Sequence, residues 1–361
     1  MNTLPIPAAD PMPLPAPVWL LKSLLLLTFF LHLLFMSGTV GGAVIAVASA
    51  IRGETDGKCA MLARRLVGVL PVLVAFTITL GVAAFLFVQV LYGPLVYASS
   101  ILMGVAWIAV IPMLIVGYYG FYWASNKASL RGLGLGVLMV FVIGLIFTNN
   151  MTLMLAPERW RAMYSAGAAG LHMNFDELSL VPRYLHMMLG SVAIGGLLVL
   201  ILGLREKKVE VRAWLLRHGS FWFVIATAGN IVVGFWFLMT LRPEVRDLFM
   251  GRSKLASALM IAGMLLPIGA IVHLMLGLSG KKAGRQAIAA IGAALVTMAV
   301  MVGMRDMVRT GYLSPVFRPG ELAVSPQWGV IALFLLLFVA GLGTLGWMVR
   351  KLATASTQKV G

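Results

Sequence analysis

Histidine is the residue whose chemistry stands out inside the apolar stretches of this sequence. His32, His186 and His273 each lie within a long apolar run, while His218 lies at the edge of one and His172 lies in a polar connection. A neutral imidazole is a good ligand for haem iron, and a methionine thioether is a softer axial partner. The chain has one cysteine and no C-x-x-C-H motif, so any haem would be bound non-covalently.

Each histidine also has a plainer interpretation. A lone histidine in a membrane helix is often a hydrogen bond between helices, and small residues such as Gly190, four residues after His186, often serve close packing. His218 stands among basic residues and is expected to snorkel at the interface. His172 is expected to face solvent. The residues alone leave ligation and packing open for His32 and His186.

Long apolar helices must position these side chains. Hydrophobic residues make up 61% of the chain and charged residues 11%, against roughly 25% charged in soluble domains. The apolar runs are long enough to cross a bilayer as helices and show no period-two alternation. We predict an all-α, polytopic integral membrane bundle of about nine transmembrane helices. The predicted spans are 18–51, 66–94, 97–124, 132–156, 182–204, 218–241, 255–279, 287–304 and 328–349.

We attribute the net charge of +16 to the membrane topology of the chain. Seventeen of the 28 basic residues fall in the odd-numbered connections and the C-terminal tail. The positive-inside rule then predicts an external N-terminus and a cytoplasmic C-terminus, with no nucleic-acid partner. A bacterial inner membrane is the expected location. We divide the chain into a proline-rich external arm (1–17), one transmembrane domain (18–350), in which any haem would bind, and a cytoplasmic tail (351–361).

Two features of the predicted layout bear on function. The spans contain no Asp or Glu, which argues against a transporter driven through intramembrane carboxylates. The longest external connections, about 157–181 and 305–327, are where a partner protein is expected to dock.

Five motifs in order resemble subunit I of the cytochrome bd-type quinol oxidases, over about residues 25–315. The first two are Leu31-His32-Leu33 and the run Leu80-Gly81-Val82-Ala83, which leads to Gln89-Val90-Leu91-Tyr92-Gly93. The third is Phe175-Asp176-Glu177-Leu178 followed by Arg183-Tyr184-Leu185-His186. The last two are Ile261-Ala262-Gly263-Met264-Leu265 and the pair Asp306 and Arg309.

The resemblance implies a set of ligands. His32 would ligate one of the family's paired haems and His186 its low-spin haem b. The family's methionine ligand matches Leu259, so the neighbouring Met260 is the predicted sixth ligand. Asp306 and Arg309 fall where the family has an acid and an arginine beside its haem pair.

The sequence departs from the family at its oxygen site. The third span lacks the family's glutamates, Gln89 replaces the glutamate of the second-helix motif, and the quinol loop shrinks to about 242–254. Proton delivery to a buried oxygen-reducing haem would be hard to arrange without carboxylates. We therefore predict a b-type cytochrome subunit that carries electrons from membrane quinol to an external c-type cytochrome or iron–sulfur subunit, with other membrane subunits as partners.

Haem placement follows from this hypothesis. Two haems b are expected, with one or three as alternatives: His186 and Met260 would hold the outer one, and His32 a second nearer mid-membrane. Arg183, Arg305 and Arg309 would pair with propionates, phosphate headgroups being the alternative.

His273 is expected to ligate an inner haem, line a quinone pocket or make a structural hydrogen bond. Two other functions remain open: a divergent terminal oxidase that reduces oxygen, and a haem-free membrane anchor or transporter.

Overall fold

A computed structural model describes residues 12–277 and 282–358 as a bundle of helices. The helices are α1 (Val18–Arg52), α2 (Gly57–Leu102), α3 (Gly104–Lys127), α4 (Leu130–Met154), α5 (Trp160–Ala166), α6 (Leu180–Arg205), α7 (Val209–Met239), α8 (Pro243–Asp247), α9 (Lys254–Gly277), α10 (Ala283–Leu313) and α11 (Trp328–Gln358). Short 3₁₀ turns at Pro157–Arg159 and Pro319–Glu321 and a π-helical turn at Leu248–Arg252 complete the described part.

Within these ranges nine helices are long and apolar enough to cross a membrane, namely all except α5 and α8. This confirms the predicted all-helical membrane fold. Polar caps mark where several of the helices begin. The Asp56 carboxylate accepts from the Lys58 N–H at 2.8 Å at the start of α2, and Ser129 Oγ accepts from the Gly132 N–H at the start of α4.

The bundle has two faces, defined here by α1. The N-terminal face is where α1 begins; at this face the end of α2 meets the loop before α6, since the His172 N–H donates to the Leu102 carbonyl. The basic face is where α1 ends. There Arg65 of α2 bridges to Glu206 between α6 and α7 at 2.7 Å. The direction in which the bundle crosses the membrane stays a prediction.

Several helices begin or end at other residues than predicted, and two of these differences bear on the candidate site. Pro94 does not end the second span: α2 continues to Leu102 through a kink at Tyr92, whose φ is −132° and ψ 27°. Proline lacks an N–H and clashes with the preceding turn, so it bends a helix that packing still holds.

The second difference is at α10, which runs to Leu313 instead of ending near 304. Asp306 and Arg309 were therefore wrongly predicted to lie in an external connection. They are buried in the helix, where they pair with each other.

Contact between α1 and α6 sets the positions of both helices that carry candidate ligands. A Cβ added at Gly41 would overlap the backbone carbonyl of Ser191, and one added at Gly195 would lie 2.4–2.8 Å from the backbone of Gly41. Such a close approach is open only to glycine. Half of the most apolar window of α6 is buried, against 22% or less in the other spans, so α6 is the central helix.

The two ends of the chain meet at the N-terminal face. Leu14 pairs with Val324 in an isolated parallel bridge, and both Leu14 and Ala16 are buried. The end of the predicted arm is thus docked against the segment before α11, while its residues 1–11 lie outside the described part. Helix α11 continues to Gln358 through most of the predicted tail, and residues 359–361 also lie outside it.

Candidate functional site

Three arginines meet at the N-terminal face around one small cavity. Arg183 comes from α6, and Arg305 and Arg309 come from successive turns of α10. The cavity has a volume of about 20 Å³, and its remaining lining residues are Met151, Met154 and Leu155. The sequence analysis named all three arginines separately; the structure brings them together.

Pairing leaves this cluster with excess positive charge. Asp306 accepts from Arg309 and lies 2.8 Å from Lys22 Nζ, so one carboxylate serves two cations. Arg305 is repelled by both Arg309 and Arg183. Four cations share the directly contacting Asp306, and the Glu177 carboxylate attracts Arg183 from further away, so the described part of the site keeps a surplus of two positive charges.

Aromatic rings and unpaired nitrogens complete the surroundings of the guanidinium groups. Arg305 lies over Phe29 at 4.1 Å, Arg309 over Tyr92 at 4.4 Å and Arg183 over Phe237 at 5.0 Å. Ring faces attract cations but do not neutralise them. The Nε atoms of Arg183 and Arg309 are buried without a hydrogen-bond partner among the described residues. Buried charge of this kind is costly unless an anion balances it.

His32 is held by the neighbouring helix α2. Its Nδ1 donates to the Thr77 carbonyl at 2.9 Å, because a carbonyl only accepts. The Thr77 hydroxyl in turn lies 3.1 Å from that of Thr39, one further link between α1 and α2. Gly81 makes room for the ring, since a Cβ there would come within 2.8 Å of it. This bond fixes the tautomer and leaves the Nε2 lone pair available to a ligand.

His186 lies one turn from Arg183 on α6, so both project from the same side of the helix. Its ring stacks near Phe237 of α7 at 6.4 Å. A Cβ at Gly234 would lie 3.1 Å from its Cε1. Its Nδ1 is buried and has no hydrogen-bond partner in the described structure. The His186 ring is therefore packed on one side, but its Nδ1 has no hydrogen-bond partner among the described residues.

Met260 is half-buried on α9 and packs against the hydrophobic cluster of the N-terminal face. Its predicted pairing with His186 stays a prediction.

The structure does not bring two other predicted site residues to the cluster. His273 is exposed towards the basic-face end of α9, and its Nδ1 lies 2.7 Å from Gln286 Oε1 of α10. This contact agrees with the structural hydrogen bond, one of the three roles predicted for His273. Gln89 is exposed on α2.

The two remaining histidines form hydrogen bonds with neighbouring residues. His218 Nε2 accepts from the indole N–H of Trp222 at 3.1 Å, and its ring stacks on Trp214 at 4.7 Å. Its predicted position at the membrane interface stays a prediction. His172 is half-buried and donates to the Gly167 carbonyl at 2.5 Å, instead of facing solvent.

Sequence reasoning missed Lys22, Phe29, Tyr92 and Gly234. Lys22 carried a usable signal, as a lone cation one turn inside an apolar span. Its partner Asp306 is remote in sequence, so the pairing itself had no signal. No three His, Cys, Asp or Glu side chains converge as a metal cluster in the described ranges.

Comparison with known proteins finds the same fold in an oxidase structure. The structure of bd oxidase from Geobacillus thermodenitrificans aligns with a TM-score of 0.67 over 94% of this chain and 99% of that chain, at 13% identity. No protein-family model matches the sequence, and no curated protein matches it. The chain therefore has the helical membrane fold of a bd oxidase chain, at an identity that speaks for the fold alone.

Proposed function

We propose that this chain is a haem b-binding membrane subunit that takes electrons from quinol and passes them to an external electron-transfer protein. The observation that carries the proposal is the surplus of positive charge formed by the half-buried Arg183 and Arg305 and the buried Arg309. These guanidinium groups need anions, and a haem brings two propionate carboxylates. Bidentate pairing with carboxylates is what the guanidinium fork favours.

Burial favours propionates over the alternative anion, a phospholipid phosphate. Arg309 is 7% exposed and Asp306 6% exposed. Lipid headgroups lie at the membrane surface, whereas a haem inserted between helices presents its carboxylates from inside. The cavity of about 20 Å³ has room for about one water molecule and not for a porphyrin, so haem binding would require the surrounding side chains and helices to move apart.

The two histidines fit axial ligation. His32 has its Nδ1 proton held by Thr77 and its Nε2 lone pair free, the arrangement that metal-bound imidazoles adopt. Gly81 and Gly234 on the facing helices allow these rings to lie where a Cβ would otherwise clash with them. His186, with Met260 as the proposed second ligand, would hold the outer haem, and His32 the other.

Each protein group then has a defined task. Haem b supplies reversible one-electron chemistry when bound. The histidines would ligate the iron, the arginines would hold the carboxylates, and the apolar helices would exclude water. Quinol is the proposed donor because the fold is that of a protein named as a bd oxidase. A c-type cytochrome or iron–sulfur subunit is the proposed acceptor, docking on the loops of the N-terminal face; further membrane subunits would complete the complex.

Oxygen as the acceptor is the second candidate, and the fold likeness to a bd oxidase favours it. Against it, α3 contains no Asp or Glu that could relay protons. Quinol-driven oxygen consumption by the purified complex, with and without cyanide, separates the two.

The first experiment is a reduced-minus-oxidised spectrum of the purified protein with a pyridine haemochrome count. We expect haem b α-bands, part of them lost in His186→Ala and a different part in His32→Ala. His273→Ala is the matched control and keeps the full spectrum, because His273 is exposed and bonded to Gln286. Well-folded protein with no Soret band would contradict the proposal and favour a haem-free anchor or transporter.

A further inference from the structure

Two complementary polar atoms lie buried and unpaired between α6 and α7. They are Nδ1 of His186 and Oδ1 of Asn230, and neither has a hydrogen-bond partner among the described residues. Buried polar atoms are nearly always paired, so each unpaired one calls for an explanation. Here one atom is a donor when protonated and the other is an acceptor.

Glycines place the two side chains beside each other. Gly234, one turn after Asn230 on α7, faces the His186 ring, with a Cβ there 3.2 Å from Nδ1. Gly190, one turn after His186 on α6, faces Asn230, with a Cβ there 3.2 Å from Nδ2. The helices are antiparallel, so His186 and Asn230 are diagonal neighbours, offset by one turn of about 6 Å along the axis. Each side chain lies opposite the other's glycine, in the place where a Cβ would crowd it.

The backbone carbonyl of Asn230 is a weaker candidate than its side-chain Oδ1 as the hydrogen-bond acceptor for His186 Nδ1. The Asn230 carbonyl approaches the ring, but no contact reaches hydrogen-bond geometry. That carbonyl also accepts the bond within α7. The side-chain Oδ1 is uncommitted and can turn about χ2.

We infer that Asn230 is a positioning residue for His186. After rotation of the Asn230 side chain about χ2, its Oδ1 accepts a hydrogen bond from the Nδ1–H of His186. This fixes the tautomer with Nε2 free and aims the ring away from α7. The inference rests on the proposed function, in which His186 ligates haem, and it gives this histidine the support that Thr77 gives His32.

The test compares Asn230→Leu, which keeps size and backbone but removes the acceptor, with Asn230→Ser, which retains a hydroxyl acceptor. Thr227→Val is the matched control, because it removes another unpaired buried oxygen of α7. Thr227 lies one turn before Asn230 on α7, farther along the helix from Gly234, which faces His186. Readouts are haem retention, the midpoint potential of each haem, and the ¹⁵N NMR tautomer of His186 in the haem-free protein.

We expect Asn230→Leu to weaken retention of the His186-dependent haem by about 10- to 100-fold. Its midpoint potential shifts upward, because a histidine without an acceptor on Nδ1 donates less charge to iron. Asn230→Ser restores part of both, and Thr227→Val changes neither. In the haem-free protein, Asn230→Leu mixes the two tautomers.

Unchanged potential, retention and tautomer in Asn230→Leu would overturn the inference and assign the role to the backbone carbonyl. A wild-type protein without a His186-dependent haem contradicts the proposed function instead. In that case the tautomer of the haem-free protein still decides the pairing of His186 with Asn230.

Discussion

Gly81 of α2 lies directly against the imidazole of His32 on α1. A Cβ at position 81 would approach Cε1 to 2.8 Å and Nδ1 to 2.9 Å, closer than real Cβ atoms come to their neighbours. The ring is thus held between this glycine and its hydrogen bond to Thr77, which lies one turn earlier on α2. A single helix controls both the orientation and the tautomer of this histidine.

Gly81→Ala should therefore displace the His32 ring. We expect partial loss of the His32-dependent haem absorbance and a destabilisation of about 1–3 kcal/mol from overpacking. Gly93→Ala is the control on the same helix, since a Cβ there meets nothing within 4 Å. Difference spectra and thermal unfolding in detergent measure both effects. A Gly81→Ala protein with wild-type spectrum and stability would show that the ring is not confined by α2.

Asp306→Asn should be strongly destabilising. The carboxylate serves Lys22 and Arg309, and its loss leaves two cations without their partner. Breaking a buried ion pair from one side costs about 3–5 kcal/mol. Glu321→Gln is the matched control, because its pair with Arg318 is exposed on both sides, and such pairs contribute about 0–1 kcal/mol. Equal unfolding midpoints for the two variants would contradict the buried network.

Arg305→Gln should move stability and haem retention in opposite directions. Removing one cation relieves repulsion from Arg183 and Arg309, so the haem-free protein becomes more stable. The same change removes a charged donor to a propionate, which contributes about 1.5–3 kcal/mol, so haem is retained less well. Thermal unfolding of haem-free protein and haem titration measure the two. If the cluster instead holds lipid phosphate, bound phospholipid falls and haem retention stays constant.

Glu206 should make the basic face sensitive to acid. The Lys208 backbone N–H, with further help from Arg65, lowers the pKa of this carboxyl below its ordinary value. A lowered folded-state pKa contributes stability above the unfolded pKa, and this contribution is lost as the pH falls through the folded value. Glu206→Gln should flatten the stability profile over that acidic range.

Stability of the Glu206→Gln variant should match wild type at the acid end and fall below it near neutral pH. Lys208→Ala keeps the backbone N–H and serves as the control, with an unchanged profile. Parallel profiles for wild type and Glu206→Gln from neutral pH to well below the ordinary pKa of a glutamate would show that this carboxylate does not couple to folding.

The sequence by itself determined the class of fold and most of the residues of interest. Apolar run length is a local property, because a helix must cross the hydrocarbon with its backbone satisfied internally. It therefore located the spans and marked His32, His186 and the three arginines as exceptions within or beside them. These exceptions can be recognised in the sequence because placing an ionisable group inside a membrane costs free energy.

Only the tertiary structure decided which exceptions belong together. Local hydropathy predicted that α10 ends near 304, because Arg305, Asp306 and Arg309 interrupt the apolar run. In the structure the helix continues, and Lys22 of α1 forms an ion pair with Asp306. Local hydropathy likewise could not tell that Gln89 and His273 are exposed, or that Asn230 lies within one turn of His186 on the facing helix. Partners on other helices set these outcomes, and contacts between residues far apart in sequence leave no pattern in a single chain.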